Sequence, residues 1–173
     1  LLLRSLGFSR DVTLMTEPSH GAWYYQQLLL GFNYRMTDMQ AALGLSQSQR
    51  LQSIVQKRQL LAEKYHHLLA ELPLQLPPLD KINKSAWHLF IIRLNDKTTR
   101  HAVFAGMREA GIGVNVHYIP IHTQPYYQQL GFDWGDLPVA EDFYERIISL
   151  PMFPELTNEQ QKFIADTLAR LLA

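Results

Sequence analysis

The sequence contains no cysteine among its 173 residues. This absence excludes a disulfide framework, thiolate catalysis and a cysteine-ligated zinc site. A charge of one dominant sign is also lacking, because sixteen Lys and Arg residues balance sixteen Asp and Glu residues. Nucleic-acid-binding domains usually present a basic face, and no cluster of Lys and Arg indicates one here. We therefore expect no nucleic-acid partner.

Long hydrophobic runs are missing as well. The opening segment Leu1–Arg4 is apolar but too short for a signal peptide or a membrane span. The chain opens within an apolar run and without methionine, so we expect a piece of a larger protein; the alternative is a small protein that has been trimmed. The composition, 47% hydrophobic and 18% charged, is typical of a globular domain. We expect a cytoplasmic protein without membrane contact.

The clearest helix signal is the capping box Thr37–Gln40, in which the Thr hydroxyl and the Gln side chain satisfy each other's backbone amides. Apolar residues then recur three or four apart, and Pro73 ends the pattern. This predicts one long helix, although the small residues Gly44, Ser46 and Ser48 indicate close packing or a break in its early part.

The remainder alternates between strand and helix signals and predicts an α+β fold, a long helix followed by a small antiparallel sheet with helices. Residues 1–36 are expected to be a connector, and residues 37–173 a domain. The expected strands are 87–94, 114–118 and 147–151, and the expected helices are 98–110, 126–130, 138–146 and one that begins at the capping box Thr157–Gln160.

Two segments have side chains suited to binding polar ligands. The first is Gly31–Arg35, directly before a helix N-terminus, where an Arg fork and backbone amides favour phosphate or carboxylate. The alternative is that Tyr34 packs and Arg35 pairs with an acid such as Asp38. The second is His117–His122, at the end of an expected strand. Because no carboxylate lies nearby in sequence, we favour hydrogen bonding by His117 and Tyr118 over metal binding; the alternative is a partly buried His and Tyr whose polar tips are satisfied.

A set of segments runs in order through nearly the whole chain: residues 31–45, Lys57 with Arg58, and residues 88–90, 110–120 and 149–154. Together these segments resemble the C-terminal half of the DegT/DnrJ/EryC1/StrS family of nucleotide-sugar aminotransferases. Within that family they resemble the subgroup of pseudaminic acid biosynthesis.

The resemblance implies the small domain of a fold-type I enzyme that uses pyridoxal 5'-phosphate (PLP) and acts as a homodimer. Glutamate is the implied amino donor, and a UDP-linked 4-keto-6-deoxy sugar is the implied acceptor. Asn33 matches the family residue that reaches the cofactor phosphate of the partner subunit, and Arg35 matches a nearby residue expected to help bind an anionic group there. His117 and Tyr118, with Tyr34, match segments that approach the nucleotide-sugar.

The family also requires a lysine that holds PLP as a Schiff base, and that lysine lies upstream in the family. The six lysines of this chain are Lys57, Lys64, Lys81, Lys84, Lys97 and Lys162, and none has a matching context. We therefore expect no catalytic residue in this chain, PLP bound mainly by a preceding domain, and no activity from the chain alone. The alternatives are a related PLP sugar dehydratase and a non-catalytic module for sugar-nucleotide binding or dimerisation.

Overall fold

The computed structural model describes residues 2–19, 21, 23–79, 83 and 85–173, which form two compact units, Leu1–Arg50 and Leu51–Ala173. In the first unit the strands β1 and β2 pair antiparallel, Phe8 with Gln27 and Ser9 with Gln26. One helix follows them. The bounds are β1 Phe8–Ser9, β2 Gln26–Gln27 and α1 Asp38–Ser48.

A tight turn at Gly7 brings the start of the first unit against the segment that precedes its helix. Gly7 has a φ of 78°, and a Cβ there would lie 1.7 Å from the carbonyl oxygen of Leu29. Only glycine tolerates both that conformation and that approach. In the same turn, the Leu28 amide donates to the Gly7 carbonyl oxygen at 2.9 Å.

The second unit is a three-stranded antiparallel sheet, ordered β3–β4–β5, with helices around it. Leu74 pairs with Leu94 across β3 and β4, and Phe90 pairs with Leu150 across β4 and β5. Its bounds are α2 Leu51–Leu69, β3 Leu74–Gln75, β4 Phe90–Leu94, α3 Arg100–Glu109, α4 Pro125–Gln128, α5 Pro138–Arg146, β5 Ile147–Leu150 and α6 Asn158–Leu172, with 3₁₀ turns at Lys97–Thr99 and Ile121–Thr123.

The core of the second unit lies between the sheet and the helices α2, α3 and α6. Tyr65, Phe90 and Leu168 are fully buried there, and the Tyr65 and Phe90 rings pack with centroids 4.8 Å apart. The Tyr65 hydroxyl donates to the carbonyl oxygen of Pro151 at 2.9 Å, and its burial raises its pKa. This hydrogen bond ties α2 to the segment that leaves β5.

The α+β class with a small antiparallel sheet is confirmed, and both capping boxes form as predicted, at Thr37 and at Thr157. The predicted single long helix is wrong in one respect, because a turn at Gln49–Arg50 divides it into α1 and α2. The two compact units divide at the same turn.

One predicted strand is wrong, and another strand was missed. Residues 114–118 form no strand; they contribute only an isolated bridge between Asn115 and Ser149. The third strand of the sheet is instead β3, in the proline-rich segment that follows Pro73. Two residues are enough to complete the edge of this sheet, and so short a strand shows no alternation in sequence. Among the described residues, no helix combines the length and the apolar character that a bilayer crossing requires.

Candidate functional site

The segment that contains Asn33 and Arg35 is held by backbone pairing with the start of the chain. The Phe32 amide donates to the Leu3 carbonyl at 2.7 Å, and the Tyr34 amide donates to the Arg4 carbonyl at 2.9 Å. Ser5 and Asn33 form an antiparallel bridge. This pairing fixes the backbone of the loop, so its polar side chains project from a defined position.

Within that loop, Asn33 and Arg35 orient each other. The Arg35 Nε donates to the Asn33 Oδ1 at 2.9 Å, and among the described residues Arg35 forms no ion pair with Asp38 or another acid. The rings of Phe32 and Tyr34 stack at 4.8 Å, and Tyr34 remains 70% exposed. In the described structure Arg35 therefore pairs with Asn33 and not with an acid.

Arg35 also lines a cavity of about 360 Å³ within the first unit. Two arginines, Arg10 and Arg35, line it together with Ser5, Ser9 and Tyr25. The residues that line it include no carboxylate. Guanidinium and hydroxyl donors around a cavity of this kind suit a phosphate or a carboxylate.

The second candidate segment surrounds His117, which is held by two neighbours. The His117 Nδ1 lies 2.8 Å from the Ser149 hydroxyl, and its Nε2 lies 3.4 Å from the Asn115 amide nitrogen. The Asn115 and Ser149 backbones also bond to each other, Ser149 N–H to Asn115 oxygen at 2.8 Å and the reverse at 3.3 Å. This pairing anchors residues 114–118 to the buried strand β5.

Tyr118, the next residue, is 70% exposed, and its ring packs edge-on against His117 with centroids 4.7 Å apart. The peptide bond between the two residues is cis. The hydroxyl of Tyr118 forms no hydrogen bond to the part of the chain that the structure describes. The structure thus brings His117 and Tyr118 together, with both imidazole nitrogens near side chains of the same chain and the Tyr118 side chain exposed.

His122 forms a separate pair with Glu141, distinct from that cluster. Its Nε2 lies 2.8 Å from Glu141 Oε1, and both side chains are largely buried. The Glu141 carboxylate also accepts the amides of Gly135 and Leu137. The His122 bond is the main cause that lowers the pKa of Glu141. A carboxylate does therefore lie beside this histidine, from a distant part of the sequence, and it is committed to holding the loop 133–137 on α5.

Among the described residues, no group of three His, Asp or Glu side chains is placed to hold a metal ion. Lys81 and Lys84 lie outside the described residues. Sequence reasoning missed Ser149 and Arg10. Ser149 is the one polar residue of the apolar run Ile147–Leu150, and that pattern was the available signal for it.

Comparison with known proteins agrees with this architecture. Residues 2–169 match the model of the DegT/DnrJ/EryC1/StrS aminotransferase family, and the chain belongs to that family. It is 33% identical over 177 residues to the uncharacterized protein MJ1066 of Methanocaldococcus jannaschii, covering 99% of this chain and 46% of that protein. It is 36% identical over 147 residues to the spore coat polysaccharide biosynthesis protein SpsC of Bacillus subtilis, covering 82% of this chain and 38% of that protein.

Solved structures show the same relationship. The putative sugar aminotransferase Spr1654 of Streptococcus pneumoniae, in its PMP form, superposes with a TM-score of 0.87 at 29% identity, over 98% of this chain and 43% of that one. PseC of Helicobacter pylori, an aminotransferase involved in the biosynthesis of pseudoaminic acid, superposes with a TM-score of 0.83 at 31% identity, over 99% and 44% respectively. The chain therefore spans less than half the length of these relatives.

Proposed function

We propose that these residues are the C-terminal portion of a PLP-dependent enzyme that moves an amino group from glutamate to C4 of a UDP-linked 4-keto-6-deoxy sugar. The family membership and the similarity to PseC support a sugar aminotransferase. The finer proposal is a UDP-4-amino-4,6-dideoxy-N-acetyl-β-L-altrosamine transaminase of pseudaminic acid biosynthesis. The reaction balances as keto sugar plus glutamate giving amino sugar plus 2-oxoglutarate.

The observation that carries the cofactor assignment is the pairing of Asn33 with Arg35 beside a cavity rich in donors. A cofactor phosphate needs several N–H and O–H donors, and the lining residues Arg10, Arg35, Ser5 and Ser9 carry such donors while the lining includes no carboxylate. The residues therefore fit the phosphate group of PLP. When bound, PLP supplies the electron sink and the amino carrier of transamination.

The roles of this chain's residues follow from that fit. Arg35 would bind the cofactor phosphate through the guanidinium nitrogens that its bond to Asn33 leaves available. Asn33 would contribute its side-chain N–H groups. We propose that they serve the cofactor of the partner subunit in a homodimer. Tyr34, His117 and Tyr118 are assigned to the nucleotide-sugar. The lysine that carries the cofactor is assigned to a preceding segment, so the 173-residue chain alone is expected to be inactive.

The phosphate assignment is tested with the native protein isolated from its source cells. We expect Arg35→Ala to weaken PLP binding by about tenfold or more, because a charge-assisted bond contributes about 1.5–3 kcal/mol. Arg35→Lys should recover only part of this, because an ammonium lacks the planar fork. The matched control is Arg50→Ala, an exposed arginine of the same unit. Equal PLP dissociation constants for Arg35→Ala and Arg50→Ala would contradict the assignment.

The substrate is tested by incubating the native protein with glutamate and either a UDP-linked or a dTDP-linked 4-keto-6-deoxy sugar. We expect 2-oxoglutarate and a 4-amino sugar to form in equal amounts, with the UDP sugar preferred. A deoxygenated sugar without amination would identify a dehydratase instead. Amination by the 173-residue chain alone would contradict the assignment of the lysine to a preceding segment.

A further inference from the structure

The donors and acceptors around His117 form a directed chain that starts at a backbone amide. The Val116 N–H donates to the Asn115 Oδ1 at 2.8 Å. A backbone amide can only donate, so it orients the Asn115 side chain with its oxygen toward Val116 and its NH₂ group toward His117. The Asn115 Nδ2 then faces the His117 Nε2 at 3.4 Å.

This orientation settles the proton on the imidazole. Since the Asn115 Nδ2 is a donor, the Nε2 of His117 must accept, and it therefore carries no proton. In a neutral ring the proton then lies on Nδ1, which donates to the Ser149 hydroxyl at 2.8 Å. Ser149 is only 4% exposed and is paired on β5 with Ile91 of β4, so its position is set by the sheet.

Both ring nitrogens thus have partners within the chain, whereas the side chain of the neighbouring Tyr118 is 70% exposed. The Tyr118 ring lies edge-on to His117 at an interplanar angle of 79°. An edge-to-face pair has a defined geometry that restricts the phenol ring. The imidazole, itself held by Asn115 and Ser149, is therefore a fixed support for Tyr118.

We propose that His117 is a positioning residue, held as the neutral Nδ1–H tautomer by Asn115 and Ser149, and that Tyr118 is the group of this segment that hydrogen-bonds the nucleotide-sugar. The role of Tyr118 rests on the function proposed above, whereas the tautomer of His117 does not. His117 thus supports and Tyr118 binds, whereas the sequence alone assigned both residues to the nucleotide-sugar.

The tautomer is measured by NMR of the native protein labelled with ¹⁵N and ¹³C in histidine, with His117→Gln to assign the signal. We expect His117 to be protonated on Nδ1 near neutral pH, the less populated tautomer of free histidine. In Asn115→Asp the carboxylate accepts from the ring, so the proton should appear on Nε2. Asn115 is exposed, and this variant is expected to fold. A wild-type signal protonated on Nε2 would overturn the proposal.

Ser149→Ala removes the acceptor of the Nδ1 proton and should leave a mixture of tautomers, whereas Ser149→Thr restores a hydroxyl and should restore the single tautomer. The control is Ser48→Ala, which removes a hydroxyl that bonds only within its own helix. An unchanged His117 spectrum in both Ser149→Ala and Asn115→Asp would show that these neighbours do not set the tautomer, and would contradict the inference.

The division of roles is tested by steady-state kinetics with the UDP-linked 4-keto-6-deoxy sugar. Tyr118→Phe should raise KM about three- to tenfold with little change in kcat, the effect of one lost hydrogen bond. Asn115→Asp should raise KM by less. An unchanged KM in Tyr118→Phe would overturn the role of Tyr118. If the native protein does not react with the sugar at all, the proposed function fails. The tautomer measurement then still decides which ring nitrogen of His117 carries the proton.

Discussion

Residues 1–50 and residues 51–173 both contain many apolar side chains, but within the part of the chain that the structure describes only the second unit buries them. Among the described residues, every buried apolar side chain lies at position 61 or later. The helix α1 exposes Met39 at 85% and Leu43 at 63%, whereas α6 fully buries Leu168. Both helices nevertheless begin with the same capping box. Local helix signals therefore do not report how much a segment contributes to the core.

Truncating one leucine in each unit gives the strongest test of this difference in burial. Leu168→Ala should lower the free energy of unfolding by about 2–5 kcal/mol, because it leaves a cavity in a packed core. Leu43→Ala removes the same atoms from an exposed position and should change it by less than about 0.5 kcal/mol. Chemical denaturation of the 173-residue chain measures both. Equal losses would show that α1 is buried in solution.

A smaller effect is expected from removing a single buried hydroxyl. Tyr65→Phe leaves the carbonyl of Pro151 without its donor and should cost about 1–2 kcal/mol of unfolding free energy. The matched control in the same unit is Tyr126→Phe, at a side chain that is 67% exposed, which should change little. A neutral Tyr65→Phe would mean that water replaces the lost donor.

The two capping boxes allow the units to be compared with identical chemistry. Thr157→Ala should cost about 1 kcal/mol of unfolding free energy, because α6 packs in the core and its first amides lose their acceptor. Thr37→Ala removes the same bond from α1 but should change only the local hydrogen exchange of that helix. A loss of global stability in Thr37→Ala as large as in Thr157→Ala would contradict the contrast.

The smallest expected effect is on the decrease of the unfolding free energy as the pH becomes acidic. Hydrogen bonds, that from His122 first, lower the pKa of Glu141 below its ordinary value of 4.5. A carboxylate with a lowered pKa stabilises the fold fully above its unfolded pKa, and that contribution is lost as the pH falls through the folded pKa. Glu141→Gln should therefore flatten the fall in stability between about pH 5 and about pH 2.

Asp11 provides the counterpart in the first unit, since its pKa is lowered by the side-chain and backbone hydrogen bonds of Thr13. Asp11→Asn should leave the decrease of the unfolding free energy at acidic pH unchanged, because the turn formed by Asp11 and Thr13 contains no part of the core. Denaturant midpoints measured across the same pH range decide both variants. Identical curves for Glu141→Gln and the unchanged protein would show that the Glu141 contacts do not contribute to stability.

Much of the fold could be predicted because its signals are local. The helices α3 and α5 and the strands β4 and β5 lie close to their predicted positions. Which side chains of α6 are buried does not follow from such signals: Ile164 and Leu168 are buried, whereas Phe163 is half exposed and lines a cavity beside Gly113. Helical periodicity orders residues around an axis but does not show where the neighbouring elements end.

The candidate site divides in the same way. Arg35 was predicted from residue type and position before a helix, and the structure adds its bond to Asn33 and its neighbour Arg10. Ser149 could not be assigned to His117, because the two residues are far apart in sequence and meet only through the bridge between Asn115 and β5. The carboxylate beside His122 was missed for the same reason.

The sequence by itself determined the capping boxes at Thr37 and Thr157, the α+β class and the family, since these depend on residues that are neighbours along the chain or on a pattern that runs its whole length. Only the tertiary structure decided which helix is buried, where the third strand forms and which partners hold His117. Those outcomes depend on contacts between distant segments, whose energies arise only once the chain has packed.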